Sequence, residues 1–364
     1  MTTIFIKGLG LIGSSLIRAI RKEHPDFKII GSDTEESTPL YALKHQLIDK
    51  ANTDLNGSEI ADFIILATPV AVIIKDLYRL AKMSLKKNVI ITDVGSSKQE
   101  ILTAAVPLQR KGVTFIGGHP MAGSHKTGIA AGRADLFENA FYFLMRTKTV
   151  KQNYLKLENL LQGSKTKWLL ITAEEHDQLV GQISHLPHII ASALVNQTQN
   201  FFVDSPLGIR MAAGGFKSIT RIASSDPTMW TAILESNSKI IVKQIEAYIK
   251  ELEKIEEAIQ NNNHDQIFSF FESAKNSRDR LGPEKVGRLP DFFDLFINIP
   301  DKVGIIAEIA ELLAVNKISL VNIHILEIRE DIDGILQLTF IHEKDRLQAE
   351  KVLSASNYVT LRNN

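Results

Sequence analysis

Near its amino terminus the chain carries a glycine cluster whose surroundings leave few folds open to it. Thr3-Ile4-Phe5-Ile6-Lys7 reads as a strand, Gly8-Leu9-Gly10-Leu11-Ile12-Gly13 as the turn after it, and Ser14 to Ile20 as a helix. A second apolar run, Lys28-Ile29-Ile30-Gly31-Ser32, ends in Asp33, twenty residues past Gly13. Strand, GxGxxG turn, helix, strand and terminal acid is the layout of a dinucleotide-binding βαβ unit. Gly8 makes the tight turn, Gly10 lets the backbone approach a pyrophosphate, and Gly13 lets helix and strand close up. The free N–H groups of the helix start, at Leu11, Ile12 and Gly13, then face the anion. Asp33 is placed to accept hydrogen bonds from the adenosine ribose and to repel a 2′-phosphate, so the expected cofactor is NAD rather than NADP. A GxGxxG alone would also suit an ordinary βα turn; the flanking pattern is what favours a cofactor.

The rest of the chain narrows the class. Its 364 residues suffice for two or three domains with sizeable cores. Basic and acidic residues balance at 42 each, so there is no electrostatic footprint for nucleic acid or an anionic membrane. No apolar run reaches the roughly 20 residues that span a bilayer, and the first apolar run is consumed by the nucleotide-binding strand rather than a signal peptide. With no cysteine, disulfides, thiolate nucleophiles and Cys-based zinc sites are excluded. A cytoplasmic enzyme is the expectation.

Three textures follow one another. Up to residue 172, β-rich runs alternate with helical segments, as in a Rossmann-type doubly wound α/β sheet. Further strands are expected at Phe63–Leu66, Val89–Thr92, Val113–Ile116, Phe141–Leu144 and Trp168–Ile171. Residues 173–280 read as all-helical, with Leu234, Ile240, Ile241, Ile245, Tyr248, Ile249, Leu252 and Ile255 forming one apolar stripe suited to a second subunit. Residues 281–292 hold two Gly and two Pro and read as a linker. In 293–364 the pattern is strand, helix, strand, strand, helix, strand, the ferredoxin-like βαββαβ arrangement.

Polar residues of chemical interest gather after the strands of the first region. Asp93-Val94-Gly95-Ser96-Ser97-Lys98 and Gly117-Gly118-His119-Pro120-Met121-Ala122-Gly123-Ser124 both follow expected strands. Ligands bind at such strand ends in open α/β sheets, so Ser96 and His119 could face the nicotinamide together. A neutral imidazole can accept a hydroxyl proton near pH 7, and Ser96 could hold its other nitrogen. Ser184-His185-Leu186-Pro187-His188 starts or kinks a helix at Pro187; in a first turn Pro187 needs no N–H partner, which would put His188 beside free backbone donors fit for a substrate carboxylate. His185 and His188 could alternatively pair on a metal, but no further ligands show suitable spacing, and no metal is expected. Gly214-Gly215-Phe216-Lys217-Ser218-Ile219-Thr220-Arg221 joins a glycine pair to cations, and Arg221 can grip a carboxylate with two parallel hydrogen bonds. Lys217 reads as a solvated charge and Trp230 as core. The residues alone thus point to an NAD enzyme acting on a small hydroxylated carboxylate.

GLGLIGSSL at 8–16, DVGSSK at 93–98, GGHPMAGS at 117–124, SHLPH at 184–188, GGFKSITRIASSDPTMW at 214–230 and DKVGIIAEI at 301–309 together resemble the prephenate dehydrogenases of the Gram-positive type, which end in a small-molecule-sensing ACT domain. The resemblance spans essentially the whole chain. It implies oxidative decarboxylation of prephenate to 4-hydroxyphenylpyruvate with reduction of NAD, a step toward tyrosine, in a homodimer built on the helical region. His119 then corresponds to the catalytic histidine and Ser96 to the serine that orients it. Ser124, Ser184, His188 and Arg221 correspond to substrate-binding positions. His125 stands where some members carry an acidic gating residue, so that role is not carried over. For the tail, the resemblance implies tyrosine as a feedback inhibitor, bound near Gly304 and Asn322. Arogenate is the rival substrate, and a non-catalytic NAD-dependent amino-acid sensor is the rival function. A β-hydroxyacid dehydrogenase would need a catalytic lysine, for which Lys217 is the one candidate.

Overall fold

The computed structural model describes residues 1–123, 126–203, 214–280, 293–300, 302–329, 332–340, 342–356 and 358–361. The linker expected at 281–292, together with Ser124 and His125, lies outside the described residues. Two compact units are distinguished, Met1–Glu256 and Glu257–Asn364.

The first unit opens with β1 (Thr3–Lys7), α1 (Leu11–Glu23), β2 (Lys28–Ser32), α2 (Ser37–Lys44), β3 (Lys50–Asn52), β4 (Phe63–Leu66), α3 (Val70–Leu80), β5 (Ile90–Asp93), α4 (Gln99–Arg110) and β6 (Thr114–Ile116). These six strands form one parallel sheet in the order β3-β2-β1-β4-β5-β6. Alternate side chains serve opposite faces: Ile4 and Ile6 join a core with Leu16, Ile17 and Ile20 of α1, while Phe5 joins another with Ile73 and Leu77 of α3 and Ile101 of α4. Strand order reverses between β1 and β4, and the crevice at the carboxyl ends there is where open α/β sheets bind ligands.

Two of the expected strands belong elsewhere. β7 (Gly118–Pro120), β8 (Phe141–Met145) and β9 (Lys167–Ile171), with α5 (Lys151–Leu160) between the last two, form a separate three-stranded sheet. In it β8 runs antiparallel to β7 and parallel to β9. His119, expected on a loop, therefore lies on β7 and pairs with Phe143. A three-residue strand leaves too short a pattern to be read from sequence.

α6 (Ala173–Val180) begins at a capping box, in which Thr172 and Glu175 exchange backbone and side-chain hydrogen bonds. It continues through a π-helical turn, Gly181–His185, into α7 (Leu186–Phe201). In a regular helix the Pro187 ring would clash with the carbonyl four residues back. The wider turn, closed by Leu186 N–H donating to Gly181 O, lets the helix run on. Then come α8 (Gly214–Thr220), a 3₁₀ turn at Arg221–Ser224, α9 (Pro227–Ser236) and α10 (Ser238–Gln260). The apolar stripe is shared between two helices, since Leu234 lies on α9 and the rest on α10. Along α10, Ile241 is buried while Val242, Ile249 and Leu252 are exposed.

The second unit contains α11 (His264–Asp279), β10 (Phe293–Ile299), α12 (Ile305–Val315), β11 (Asn322–Arg329), β12 (Ile332–Phe340), α13 (Glu343–Ala355) and β13 (Thr360–Leu361). Its sheet has the order β11-β12-β10-β13, with the described pairings antiparallel, around a core of Leu295, Ile297, Ile309, Leu313, Leu336 and Leu338. That is the expected βαββαβ topology.

Candidate active site

The glycine turn has the geometry of a nucleotide cradle. Gly8 has φ +93°, and a Cβ there would lie 2.4 Å from Ala67 O; a Cβ on Gly13 would lie 1.9 Å from Gly8 O. Those two glycines are required by the fold itself. Gly10 differs, because nothing lies within 4 Å of where its Cβ would be. The open space faces the start of α1, whose first N–H groups have no helical partner. Asp33, at the end of β2, accepts from Leu9 N–H at 2.7 Å and from Glu35 N–H at 3.2 Å, which fixes its carboxylate beside the turn. These residues fit a dinucleotide.

A buried polar cluster surrounds His119. Lys98 and Asp93 are fully buried and joined by an ion pair. Lys98 Nζ also donates to Gly118 O at 2.7 Å, and Gly118 N–H donates to Asp93 at 3.3 Å, so β7 is gripped from both sides just before His119. Asp177 of α6 accepts from Lys98 N–H at 2.7 Å and from Gln99 N–H at 2.9 Å, tying α6 to the start of α4. His176 Nδ1 lies 2.8 Å from Asp177 Oδ1, and His176 Nε2 lies 2.9 Å from His119 Nδ1. Asn237 donates to Asp177 O at 3.0 Å and lies 3.4 Å from His185 Nδ1.

These surroundings set the protonation of the histidines. His119 is held well below the ordinary histidine value, mainly by burial and then by His176, Lys98 and His185. His176 is lowered by burial against the opposing pull of Asp177. Burial takes His185 down to about 4. The result is a group of neutral imidazoles at neutral pH, of which only His119 is partly exposed, since His176 and His185 are buried.

The neighbouring helices supply a second group. His188 stacks on Trp230, with ring centroids 3.8 Å apart, and its Nδ1 lies 2.9 Å from Ser184 O. A carbonyl only accepts, so the proton is on Nδ1 and Nε2 is left as an acceptor. Burial and then the Arg221 charge depress the His188 pKa, against the pull of the Ser184 carbonyl. Arg221 is exposed at the first position of the 3₁₀ turn that packs on α7.

Sequence expectations meet this geometry unevenly. His119, Ser184, His188 and Arg221 are brought to one region of the first unit. Nδ1 of His119 is held by His176, however, and Ser96 makes no hydrogen bond to the ring among the described residues. Of the two readings at Pro187, a helix start or a kinked helix, the π turn fits the second, and because it carries the helix on, His188 does not sit beside free backbone donors. Trp230 is the ring stacked on His188 rather than plain core. Lys217 is exposed on α8. Nothing in the sequence singles out His176 and Asp177; the Thr-Ala-Glu-Glu capping box before them is the local signal that fixes their helix start. In the second unit, Gly304 has φ +93° and lines a pocket of about 200 Å³ with Ile299, Pro300, Lys302 and Ile325. Asn322 is exposed at the start of β11 and does not line it.

Comparison with known proteins decides among the dehydrogenase types this geometry admits. Residues 16–170 match the family model described as prephenate dehydrogenase, nucleotide-binding domain, and residues 172–273 that described as prephenate dehydrogenase, dimerization domain. The chain belongs to the prephenate dehydrogenase family. It is similar to the prephenate dehydrogenase of Bacillus subtilis, with 43% identity covering 97% of this chain and 96% of the relative. Among solved structures it is similar to prephenate dehydrogenase from A. aeolicus in complex with hydroxyphenyl propionate and NAD+, at 28% identity and TM-score 0.68, covering 77% of this chain and 98% of that one. Synechocystis arogenate dehydrogenase is similar at 31% identity and TM-score 0.67, covering 77% and 99%. As a member of the prephenate dehydrogenase family the chain is an NAD-dependent oxidoreductase, and the cradle at Gly8, Gly10 and Gly13 fits that cofactor. No described helix is long and apolar enough to cross a membrane.

Proposed function

We propose that the chain converts prephenate and NAD to 4-hydroxyphenylpyruvate, CO2 and NADH, with His119 as the base for the ring C4 hydroxyl. The observation that carries this is a neutral, partly exposed His119, anchored through Nδ1 near the carboxyl end of β5, in a chain of this family. Bound NAD supplies the hydride acceptor, and Gly10, Leu11, Ile12 and Asp33 hold it. His119 takes the hydroxyl proton as the C4–H electron pair leaves. The C1–carboxylate bond then breaks, its electrons enter the ring, and aromaticity makes the step strongly downhill. Arg221 and His188 hold the substrate carboxylates, Ser184 helps to hold the substrate, and Ser96 stands near the nicotinamide. A dianion must be bound without stabilising the departing carboxylate too well, since only binding that grows toward the transition state speeds the reaction.

The division we assign is 1–172 for NAD, 173–280 for substrate and dimerisation, and 293–364 for an ACT-type regulatory domain. Its βαββαβ sheet order and the pocket at Gly304 support the last assignment, and the exposed apolar residues of α10 support a homodimer. Tyrosine is the proposed inhibitor. The test is NADH formation with prephenate and NAD, repeated with NADP, with arogenate, and with added tyrosine. Turnover with prephenate and NAD that tyrosine suppresses is expected. Turnover with arogenate alone would keep the chemistry and change the substrate; none with either would overturn the reading, and tyrosine without effect would remove the regulatory part.

A further inference from the structure

We propose that His176 and Asp177 are positioning residues that fix which nitrogen of His119 acts as the base. Asp177 holds the proton of His176 on Nδ1, His176 Nε2 accepts from His119 Nδ1–H, and His119 is left with the Nε2 lone pair toward the substrate hydroxyl. The inference rests on His119 being the base and adds what makes it one.

The chain of donors and acceptors has one consistent solution. Asp177 takes backbone N–H groups from Lys98 and Gln99, donors that cannot turn into acceptors. A carboxylate fixed that way can only accept from His176 Nδ1, 2.8 Å away, so that nitrogen carries a proton. A neutral His176 then has its lone pair on Nε2. His119 Nδ1, at 2.9 Å, must donate to it. His119 is neutral as well, so its own lone pair is on Nε2. No other combination of two neutral imidazoles avoids a lone-pair or proton clash along this line.

The same contacts can share the proton that the reaction delivers. As the substrate O–H bond breaks, the Nε2–H bond forms and His119 becomes an imidazolium. Its Nδ1 proton lies one hydrogen bond from His176 Nε2, and passing across would place the positive charge beside Asp177. When loss of CO2 leaves a phenolate, the Nε2 proton returns to that oxygen and the starting tautomers are restored. The groups facing this line are Lys98 and Asp93 below β7, His185 from the π turn, and Asn237 beside Asp177. Lys98 opposes the incoming proton, His185 is neutral, and Asp93 and Asp177 favour it.

Asp177→Asn tests this directly. An amide nitrogen facing His176 would reverse both tautomers and leave His119 protonated on Nε2, as the aspartate-to-asparagine change does in Ser-His-Asp triads, where it costs on the order of 10⁴ in kcat. We expect kcat to fall by up to about 10⁴ and by no more than in His119→Ala, KM for prephenate and for NAD to change little, and the acid limb of kcat/KM to move to lower pH. Two-bond ¹H–¹⁵N spectra should show His119 as the Nδ1–H form in the unaltered protein and as Nε2–H in the variant. His176→Gln, whose amide oxygen can still accept from His119 Nδ1–H, should retain the tautomer and lose less activity than Asp177→Asn. A variant that loses activity with the acid limb and the His119 tautomer both unmoved would reduce Asp177 to a structural tie and overturn the proposal. Should Asp177→Asn fail to fold, the unaltered protein still decides, since Nε2-protonated His119 above the acid limb would be fatal. Full kcat in His119→Ala would instead strike the assignment of the base itself, whatever the spectra showed.

Discussion

Two lysines, Lys7 and Lys98, are buried at the carboxyl edge of the same parallel sheet, and their surroundings differ in a way that separates scaffold from chemistry. Lys7, the last residue of β1, meets Asp76 at 2.8 Å and Asp54 at 3.4 Å, while Arg79 adds a second cation against both carboxylates. Charges there are matched two against two, and no histidine takes part. Lys98 is a single ammonium facing Asp93 and, through its charge, Asp177, with His119, His176 and His185 packed around them. One cation against two carboxylates leaves the cluster one positive charge short. A proton arriving at His119 can make up that charge, although burial keeps it off until substrate supplies it. The Lys7 cluster ties strand to helix, whereas the Lys98 cluster is arranged to receive a proton.

The largest expected effect tests that contrast at its chemical end. His119→Ala should lower kcat by about 10² to 10⁴, the usual contribution of a general base, with a modest change in KM. Lys7→Met should leave kcat within a small factor. Comparable losses of kcat in the two variants would erase the distinction.

Stability should separate the clusters next. Lys98→Met strands a fully buried Asp93 with only the backbone N–H groups of Gly95 and Gly118, and breaking such a pair costs about 3–5 kcal/mol. Lys7→Met leaves Asp76 with Arg79 at 3.6 Å, so about 1–3 kcal/mol is expected. Urea unfolding of both variants measures the difference. Equal losses would mean that Arg79 compensates for nothing.

How far each cluster could be read from the sequence follows the same divide. The parallel sheet was legible because its strands are short apolar runs set between helical periods, and Gly8, Gly13 and Asp33 mark the first βαβ unit. The alternation of Phe293–Ile299 likewise disclosed the second unit. Periodicity says that a segment is a strand but not which strand it joins, so nothing in the sequence of β8 and β9 sets them apart from the parallel sheet. His119 stood out through its glycine and proline neighbours. His176 and Asp177 did not, because adjacent residues on a helix carry no informative spacing. Their significance arises only where α6 packs against the start of α4, 79 residues distant between Lys98 and Asp177. The π turn was hidden for a similar reason: Pro187 announces that a regular helix is disturbed without saying how the disturbance is absorbed.

Acid should also unfold the two clusters in different windows. A histidine with a folded pKa below its unfolded value binds fewer protons when folded, so stability falls as pH drops from the unfolded value toward the folded one. For His185 that window runs from 6.5 down to about 4, and His119 and His176 shift in the same direction. Each such group contributes a slope of about 1.4 kcal/mol per pH unit within its window. Asp54 has its pKa lowered from 3.8 to about 2, chiefly by Arg79, so its contribution is intact above 3.8 and is lost only on further acidification toward 2. Denaturant midpoints followed from pH 7 to 4 should therefore decline with the buried histidines, His188 adding in the same direction, before the Lys7 cluster contributes. A flat profile over that range would show that these imidazoles titrate in the folded protein as they do in the unfolded chain, and a rise toward acid would show them charged when folded.

The smallest effect concerns the glycine turn beside Lys7, where scaffold and ligand requirements fall on different residues. A Cβ on Gly13 would meet Gly8 O at 1.9 Å, so Gly13→Ala must displace backbone and should cost about 1–3 kcal/mol or more. Gly10 has φ −64°, a conformation open to any residue, and empty space where its Cβ would go. Gly10→Ala should therefore leave stability unchanged, or raise it by about 0.4–1 kcal/mol through a less flexible unfolded chain. Its cost should fall on the cofactor instead, with KM for NAD rising about tenfold, equivalent to about 1.4 kcal/mol, and KM for prephenate unaffected. An unchanged KM for NAD would mean that the dinucleotide does not pass over Gly10. A loss of stability would mean that the space is closed in solution, and the glycine would then serve the fold as Gly8 and Gly13 do.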